Sequence, residues 1–423
     1  MKNFSRYITI LYSIVILLVA SSCKNGSDEP TPDKNTPHTL LFYFVGTDLN
    51  YFFGLNINST KEALAELTAP GGALSGKGAN PRVVYFRQTS RTEAKIAEIV
   101  YNKGAVEEKE LATYQLPAEM SAEQMGEYLS AMIQFAPAEN YGLIIGSHSR
   151  GWTPKNGVDF YELLTTSSAP HKWSYWERDP DALITRFLGE GYPFFTSYNA
   201  GHSNMFDIPE LASAISSTSV KFEYIIYDAC FMANIESLYD LRHCSKYAIA
   251  SVSEIMGNGF PYTAAIPHLL QYRGKEFDLE SACYEFTKYY KEENNTSGSI
   301  SLVNCAELEP LAKATRNVNL GAQNSVNNNS LQYYEGLNPH LYFDFGEYIN
   351  LLCADENIKA AFNAQLAKAV PYKNTLSSFY TALKPGRGTH SIKTSVYSGL
   401  TTSQSSEMYR IEYEETEWYK ATH

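Results

Sequence analysis

Two residues of this sequence have the chemistry and the placement to act together on an electrophile. Cys230 follows the apolar run FEYIIYD (222–228) with only Ala229 between, and it precedes the helix-like stretch ANIESLYDLR (233–242). His148 follows YGLIIG (141–146) with only Ser147 between. A thiolate is a strong nucleophile, but an isolated thiol titrates near pKa ~8.5 and is mostly protonated at neutral pH. A neighbouring imidazole takes that proton and later returns it to a leaving group. Ligands of open α/β sheets collect at the carboxyl ends of the strands. If the two apolar runs are adjacent parallel strands, His148 and Cys230 emerge on one edge. A helix opening directly after Cys230 would add the positive end of its dipole and favour the thiolate. His171 and His202 are second candidates for the base, while His38, His243, His268, His340, His390 and His423 end no comparable strand.

Positioning such a pair requires a sheet, and the chain supplies the runs for one. TLLFYFVG (39–46), RVVYFR (82–87), YGLIIGS (141–147), FEYIIYD (222–228), KYAIAS (246–251) and SISLVN (299–304) are short, apolar and bounded by polar residues, as buried strands are. Between them, NSTKEALAEL (58–67), SAEQMGEYLSAMIQFA (121–136), DIPELASAI (207–215) and ANIESLYDLR have helical spacing, and further helices are expected at 306–320 and 345–370. Ser121 and Gln124 form the pattern of a capping box. This alternation predicts an α/β fold with a mostly parallel central sheet and helices on both faces. Residues 152–206 have no clear period, which marks an insertion or an active-site loop.

The formal charge, 34 − 46 = −12, with no basic run, predicts no nucleic-acid partner. No cysteine pair has C-x-x-C spacing, so no metal site is expected. Beyond Cys23 there are Cys230, Cys244, Cys283, Cys305 and Cys353, an odd number that leaves a free thiol. Lys2 and Arg6 precede the apolar stretch YITILYSIVILLVA, followed by the ASSC ending at Cys23. That order describes a signal peptide over 1–22 with a lipobox whose Cys23 is lipidated. Residues 23–38, polar and Pro-rich, read as a flexible tether, and 39–423 as the folded domain. The expected location is the bacterial envelope, anchored by lipid to the outer membrane.

Three segments resemble those of a known family. YGLIIGSHSRGWTP (141–154), EYIIYDACFMANIES (223–237) and ASVSEIMGNGFPY (250–262) are similar to the signature segments of the clostripain-like (C11) cysteine peptidases, which share the caspase–gingipain–legumain fold. DIPELASAI, SISLVNCAELEPL, YFDFGEYINLL, YSGL and TEWYK are weaker matches. The resemblance implies a caspase-like three-layer sandwich and an endopeptidase cutting after Arg or Lys. It makes Cys230 the nucleophile and His148 the general acid and base, with the oxyanion held by the backbone N–H groups of Ser149 and Cys230. It makes Asp228 the anion facing a basic P1 side chain, with Asn258 as a second pocket position. It also implies a zymogen that cuts itself between the His and Cys segments. Lys155, Lys172, Arg178 and Arg186 are the available sites, with Arg178 in YWERDPD preferred. No cofactor is expected; calcium dependence enters through the resemblance alone, since no EF-hand loop is present. The chain departs from the family at His148-Ser149-Arg150-Gly151-Trp152, where a glycine usually follows the histidine. A side chain at 149 restricts the backbone that must hold the oxyanion, and Arg150 brings a cation close enough to compete for Asp228. The alternative implied by these departures is a catalytically impaired peptidase-fold lipoprotein that binds a peptide or protein partner.

Overall fold

A computed structural model describes residues 36–423 except 77–79, 103–104, 118–119, 155–177, 180, 187–205, 294–296, 323 and 385. The signal peptide, Cys23 and most of the tether therefore lie outside the described residues, as do Lys155, Lys172, His171 and His202. The described residues belong to one compact unit spanning 32–423.

The six apolar runs are strands: β1 His38–Phe44, β2 Arg82–Gln88, then, after two further strands, β5 Asn140–Gly146, β6 Phe222–Asp228, β7 Ser245–Ala250 and β8 Ser299–Asn304. The two further strands, β3 Glu93–Asn102 and β4 Ala105–Gln115, form an edge hairpin that the sequence reading omits. Its outer strand carries EEKE and is largely exposed, so it shows no apolar run. Charge on an edge strand also discourages pairing with another chain. Beyond β8 come β9 Phe343–Asp344, β10 Tyr372–Thr375, β11 Ser378–Thr381, β12 Gly388–Ser391 and β13 Thr401–Thr402.

One nine-stranded sheet runs β10-β8-β7-β6-β5-β1-β2-β3-β4. Its centre, β7-β6-β5-β1-β2, is parallel throughout, and the pairings outside it are antiparallel. Every residue of β1 is buried, because a parallel sheet covered on both sides needs apolar side chains on both pleats. The order reverses between β1 and β5. The crossover from β1 to β2 uses the helix Asn50–Thr68, while those from β5 to β6 and from β6 to β7 use Ile208–Ser216 and Ile235–Asp240. Right-handed crossovers running in opposite directions put these helices on opposite faces. Asn50–Thr68 packs with Tyr262–Leu269, which packs with Leu279–Glu292; Ile208–Ser216 packs with Ala122–Phe135. This is the three-layer α/β architecture with a central, mostly parallel sheet.

Local signals were mostly obeyed. The Ser121 hydroxyl accepts from the Gln124 N–H and the Gln124 side chain accepts from the Ser121 N–H, the reciprocal capping box. The single helix expected at 345–370 is two, Phe345–Leu352 and Glu356–Ala369, because Asp355 caps a new start by accepting from the N–H groups of Asn357 and Ile358.

Candidate active site

The reversal in strand order opens a crevice at the carboxyl ends of β1, β5 and β6, and each strand delivers one functional side chain there. Gly146 of β5 and Asp228 of β6 are register partners. His148 and Cys230 each lie two residues further on, so both leave the sheet on the same edge. From β1, Asp48 reaches across: its Oδ2 is 2.6 Å from His148 Nε2. His148 Nδ1 is buried and has no hydrogen-bond partner. Burial pushes the Asp48 carboxyl up, but the charge and hydrogen bond of His148 outweigh it and leave the group below its usual range.

Cys230 is fully buried. Its Sγ accepts from the Ile255 N–H at 3.2 Å. Burial drives the thiol well above its ordinary value, and the nearby Glu254 charge adds to the effect. The expected helix dipole is not directly behind it. A turn intervenes, and the helix starts only at Ile235, capped by the Asn234 side chain, which accepts from the Ser237 N–H at 2.8 Å. In that turn Phe231 has φ 59°, a conformation that costs a residue with a side chain about 1 kcal/mol or more. The Asn234 amide donates to the Phe231 carbonyl and holds the turn.

Asp228 is buried and faces Arg186, whose Nη1 lies 2.6 Å from Asp228 Oδ2. The Tyr262 hydroxyl donates to the same oxygen at 2.6 Å, and the Phe260 N–H approaches it at 3.4 Å. Burial pushes the Asp228 carboxyl up, while Arg186 and these two donors pull it back. Arg186 Nη1 also donates to the Asp228 carbonyl (2.9 Å) and Nη2 to Asn56 Oδ1 (2.7 Å). The guanidinium carbon lies 5.4 Å from the centre of the Phe53 ring. Gly259, with φ 68°, leaves the room: a Cβ there would run into both the guanidinium and Asp228 Oδ2.

Around this ion pair the backbone of residues 184–186 lies as an extended strand on residues 255–257. The Arg186 N–H donates to the Ile255 carbonyl (2.7 Å), the Gly257 N–H donates to the Ile184 carbonyl (2.8 Å), and Thr185 bridges Met256 in antiparallel fashion. The Ser149 N–H donates to the Arg186 carbonyl at 3.2 Å. A segment of the chain thus sits across its own crevice with a cationic side chain in the acidic pocket.

Several expectations need correction. The guanidinium on Asp228 belongs to Arg186 and not to Arg150. Arg178, the preferred site for self-cutting, is buried, forms a β-bridge with Leu383 and turns Nη1 toward the Thr185 hydroxyl at 3.5 Å, whereas the side chain paired with Asp228 is that of Arg186. Asn258 is exposed and turns its amide to the Tyr289 hydroxyl at 3.3 Å; it serves the pocket only through its carbonyl, which accepts from Asn56 Nδ2 at 2.8 Å. Asp48, Asn56 and Tyr262 are the pocket and crevice residues the sequence reading missed. Asp48 had a usable signal, a carboxylate just past the end of a predicted strand. Tyr262 closes the ASVSEIMGNGFPY segment, whose match gave it a signal but no role, and Asn56 sits on a helix with nothing to distinguish it from core residues.

Ser149 has a negative φ, and the residue of this loop that needs glycine is Gly151, at φ 68°. A Cβ at 151 would press on the Tyr342 hydroxyl and the Asn234 amide at 2.5 Å. The Ser149 hydroxyl accepts from the Gly151 N–H at 2.9 Å and so supports the turn. Trp152 then ties the loop down through Nε1 to Ser403 Oγ at 2.8 Å. We expect Ser149→Gly to change kcat/KM by less than ~3-fold and to cost about 1 kcal/mol of stability from the lost hydroxyl contacts and the freer backbone. A gain of tenfold or more in peptide assays would mean that the native side chain impairs the site.

Residues 194–421 match the sequence profile of the clostripain family. The whole chain is similar to the crystal structure of a secreted C11 cysteine protease of Bacteroides thetaiotaomicron called iotapain, at 29% identity over 93% of this chain and 100% of the other, with a TM-score of 0.75. It is similar to an inactive zymogen C11 protease of Parabacteroides distasonis, at 26% identity over 93% and 100% of the two chains, TM-score 0.70. A second secreted C11 protease of B. thetaiotaomicron, solved with an irreversible peptide inhibitor, shares the fold at 22% identity over 91% and 98%, TM-score 0.70. No curated protein matches.

Proposed function

The chain belongs to the clostripain family of cysteine peptidases, and from that premise we propose an endopeptidase that cuts after Arg or Lys by a Cys230–His148 mechanism, held as a zymogen by Arg186. The observation that carries this reading is the seat of Arg186: its side chain on Asp228, its N–H on the Ile255 carbonyl and its carbonyl on the Ser149 N–H. These are the contacts a P1 residue needs before attack. A charged side chain, an aligned main chain and a polarised carbonyl are met by one residue at once.

Chemistry follows from the protons. Asp48 accepts the Nε2–H of His148, which leaves the Nδ1 lone pair bare and buried for the thiol proton. Sulfur then attacks the P1 carbonyl carbon. Negative charge develops on the oxygen, which the Ser149 N–H and the Cys230 N–H stabilise. The tetrahedral intermediate collapses as Nδ1–H protonates the departing amine. Water, deprotonated by the same imidazole, hydrolyses the thioester. Asp48 is a positioning residue, and Asp48→Asn lets the ring take the wrong tautomer. We expect kcat to fall ~10- to 100-fold, a part of the 10²–10⁴ that acid–base transfer provides, with KM unchanged within twofold. An unaltered kcat would remove Asp48 from the mechanism.

The test of the reading is direct. Purified, self-processed protein is given fluorogenic peptides ending in Arg, Lys, Asp or Leu, beside Cys230→Ala. Turnover of the first two by the parent alone is expected; equal turnover by the variant would end the dyad assignment.

The reading includes delivery to the outer membrane through a lipidated Cys23, supported by the basic residues, apolar stretch and ASSC ending of the leader. Cys23→Ala should abolish incorporation of radiolabelled palmitate and move the protein from the membrane to the soluble fraction. Unchanged labelling would exclude the anchor.

A further inference from the structure

One buried carboxylate near the crevice has no part in the mechanism above. Glu254 is 2% exposed and lies beside Ile255, whose main chain contacts both Arg186 and Cys230. Its Oε1 accepts from the Thr381 hydroxyl (2.6 Å) and from the Ala382 N–H (3.0 Å), so that oxygen is saturated by the fold itself. Thr381 in turn is fixed as the last residue of β11, and its hydroxyl accepts from the Leu383 N–H at 3.2 Å. The other oxygen, Oε2, accepts from Thr185 Oγ1 at 2.5 Å. Thr185 immediately precedes Arg186 and is completely buried. Arg178 Nη1 reaches the same hydroxyl at 3.5 Å.

We propose that Glu254, held by Thr381 and Ala382, forms an S2 subsite that reads a β-hydroxyl, so that the enzyme selects Thr, and next Ser, before the basic P1 residue. The proposal rests on the peptidase reading and deepens it: Arg186 marks P1, and Thr185 therefore marks P2. The physical reason is asymmetry. A P2 hydroxyl completes the hydrogen bonding of a buried carboxylate, whereas a Val of the same shape leaves Oε2 buried with one donor missing. Leaving a buried acceptor unpaired costs more than the net gain of making the bond. Sites built to bond a hydroxyl reject the analogue that lacks it much more strongly than apolar pockets reject an extra methylene. Burial pushes the Glu254 carboxyl up, while its three donors and the Arg178 charge pull it back. In either protonation state Oε2 remains an acceptor. Complete enclosure of Thr185 also excludes large P2 side chains.

The experiment uses the full chain after self-processing and four peptides, acyl-Leu-Ile-Xaa-Arg-aminomethylcoumarin, with Xaa Thr, Ser, Val or Ala. The expected kcat/KM for Thr exceeds that for Val by about 10- to 100-fold, the range set by one unpaired buried group, with Ser between them. In Glu254→Met the order reverses, Val equalling or exceeding Thr. Should that variant fail to fold, the zymogen itself gives a second reading: Thr185→Val slows self-cutting about tenfold, and Thr185→Ser leaves it within about threefold of the parent. Turnover of all four peptides within threefold of one another would overturn the S2 assignment and leave the Arg-specific peptidase standing. No turnover of any Arg peptide would overturn the peptidase reading and the subsite with it.

Discussion

Asp228→Asn is expected to lower kcat/KM on Arg-terminated peptides by about 100- to 4,000-fold. The guanidinium in the pocket is fully buried, 2.6 Å from a fully buried carboxylate oxygen. Removing one partner of such a pair leaves the other charge desolvated without compensation, a loss of about 3–5 kcal/mol, and each 1.4 kcal/mol is a factor of ten. Asparagine keeps the shape and an oxygen for the Tyr262 hydroxyl, so the change removes the charge more than the packing. The variant, made as two co-expressed pieces that end at Arg186 and begin at Phe187 so that no self-cutting is needed, is assayed with peptides ending in Arg and in citrulline, the neutral isostere. The parent should prefer Arg by a large factor and the variant should have lost most of that preference. Because the pocket acts on ground state and transition state alike, the loss is expected mainly in KM. A variant that still turns over Arg peptides at the parental kcat/KM would show that the P1 charge is read elsewhere.

How far the sequence reaches depends on whether a feature is local. Strand β6 was legible because FEYIIYD is a continuous apolar run of the kind buried parallel strands require. The register that pairs Gly146 with Asp228, two residues before His148 and Cys230, was not, since it depends on which strands neighbour which. The strand-end rule located both residues without it because parallel neighbours share an edge. Hairpin β3–β4 failed the same reading for the opposite reason: an exposed edge strand needs no apolar pleat, and its charges conceal it. The break at Cys353–Asp355 was visible as an Asp three residues before Ile358, yet apolar periodicity on either side masked it.

In the crevice, what escaped was contact over long separations. Asp48 and His148 are 100 residues apart, and Arg186 reaches Asn56 across 130. No spacing rule connects such pairs. Position in a motif singled out Ser149, whereas conformation depends on φ: the positive φ of this loop is at Gly151. Arg186 could be named from sequence as one of four basic candidates, but its seat depends on how irregular chain folds back over the sheet edge.

The Arg186 carbonyl is already on the Ser149 N–H, so on the proposed function the chain is its own first substrate in a unimolecular reaction. Self-cutting at Arg186–Phe187 should be first order, with a half-time unchanged over a 100-fold dilution, as followed by gel and by the mass of the new C-terminus. Cys230→Ala should remain whole indefinitely. It should also resist added parent enzyme, because its Arg186 is buried and presented to its own crevice. Arg186→Ala should remain uncut at this bond by at least ~100-fold relative to the parent, since a methyl group cannot reach Asp228 and the buried-pair energy is lost. The thiol provides an independent readout. In the intact chain Sγ is covered and its ionisation suppressed by burial, so iodoacetamide should label Cys230→Ala and intact parent equally slowly. Labelling at Cys230 should rise sharply only as the 186–187 bond is cut and the segment leaves. A half-time inversely proportional to concentration, or rapid cutting of Cys230→Ala by the parent, would mean that Arg186 is delivered to a second molecule rather than to its own crevice.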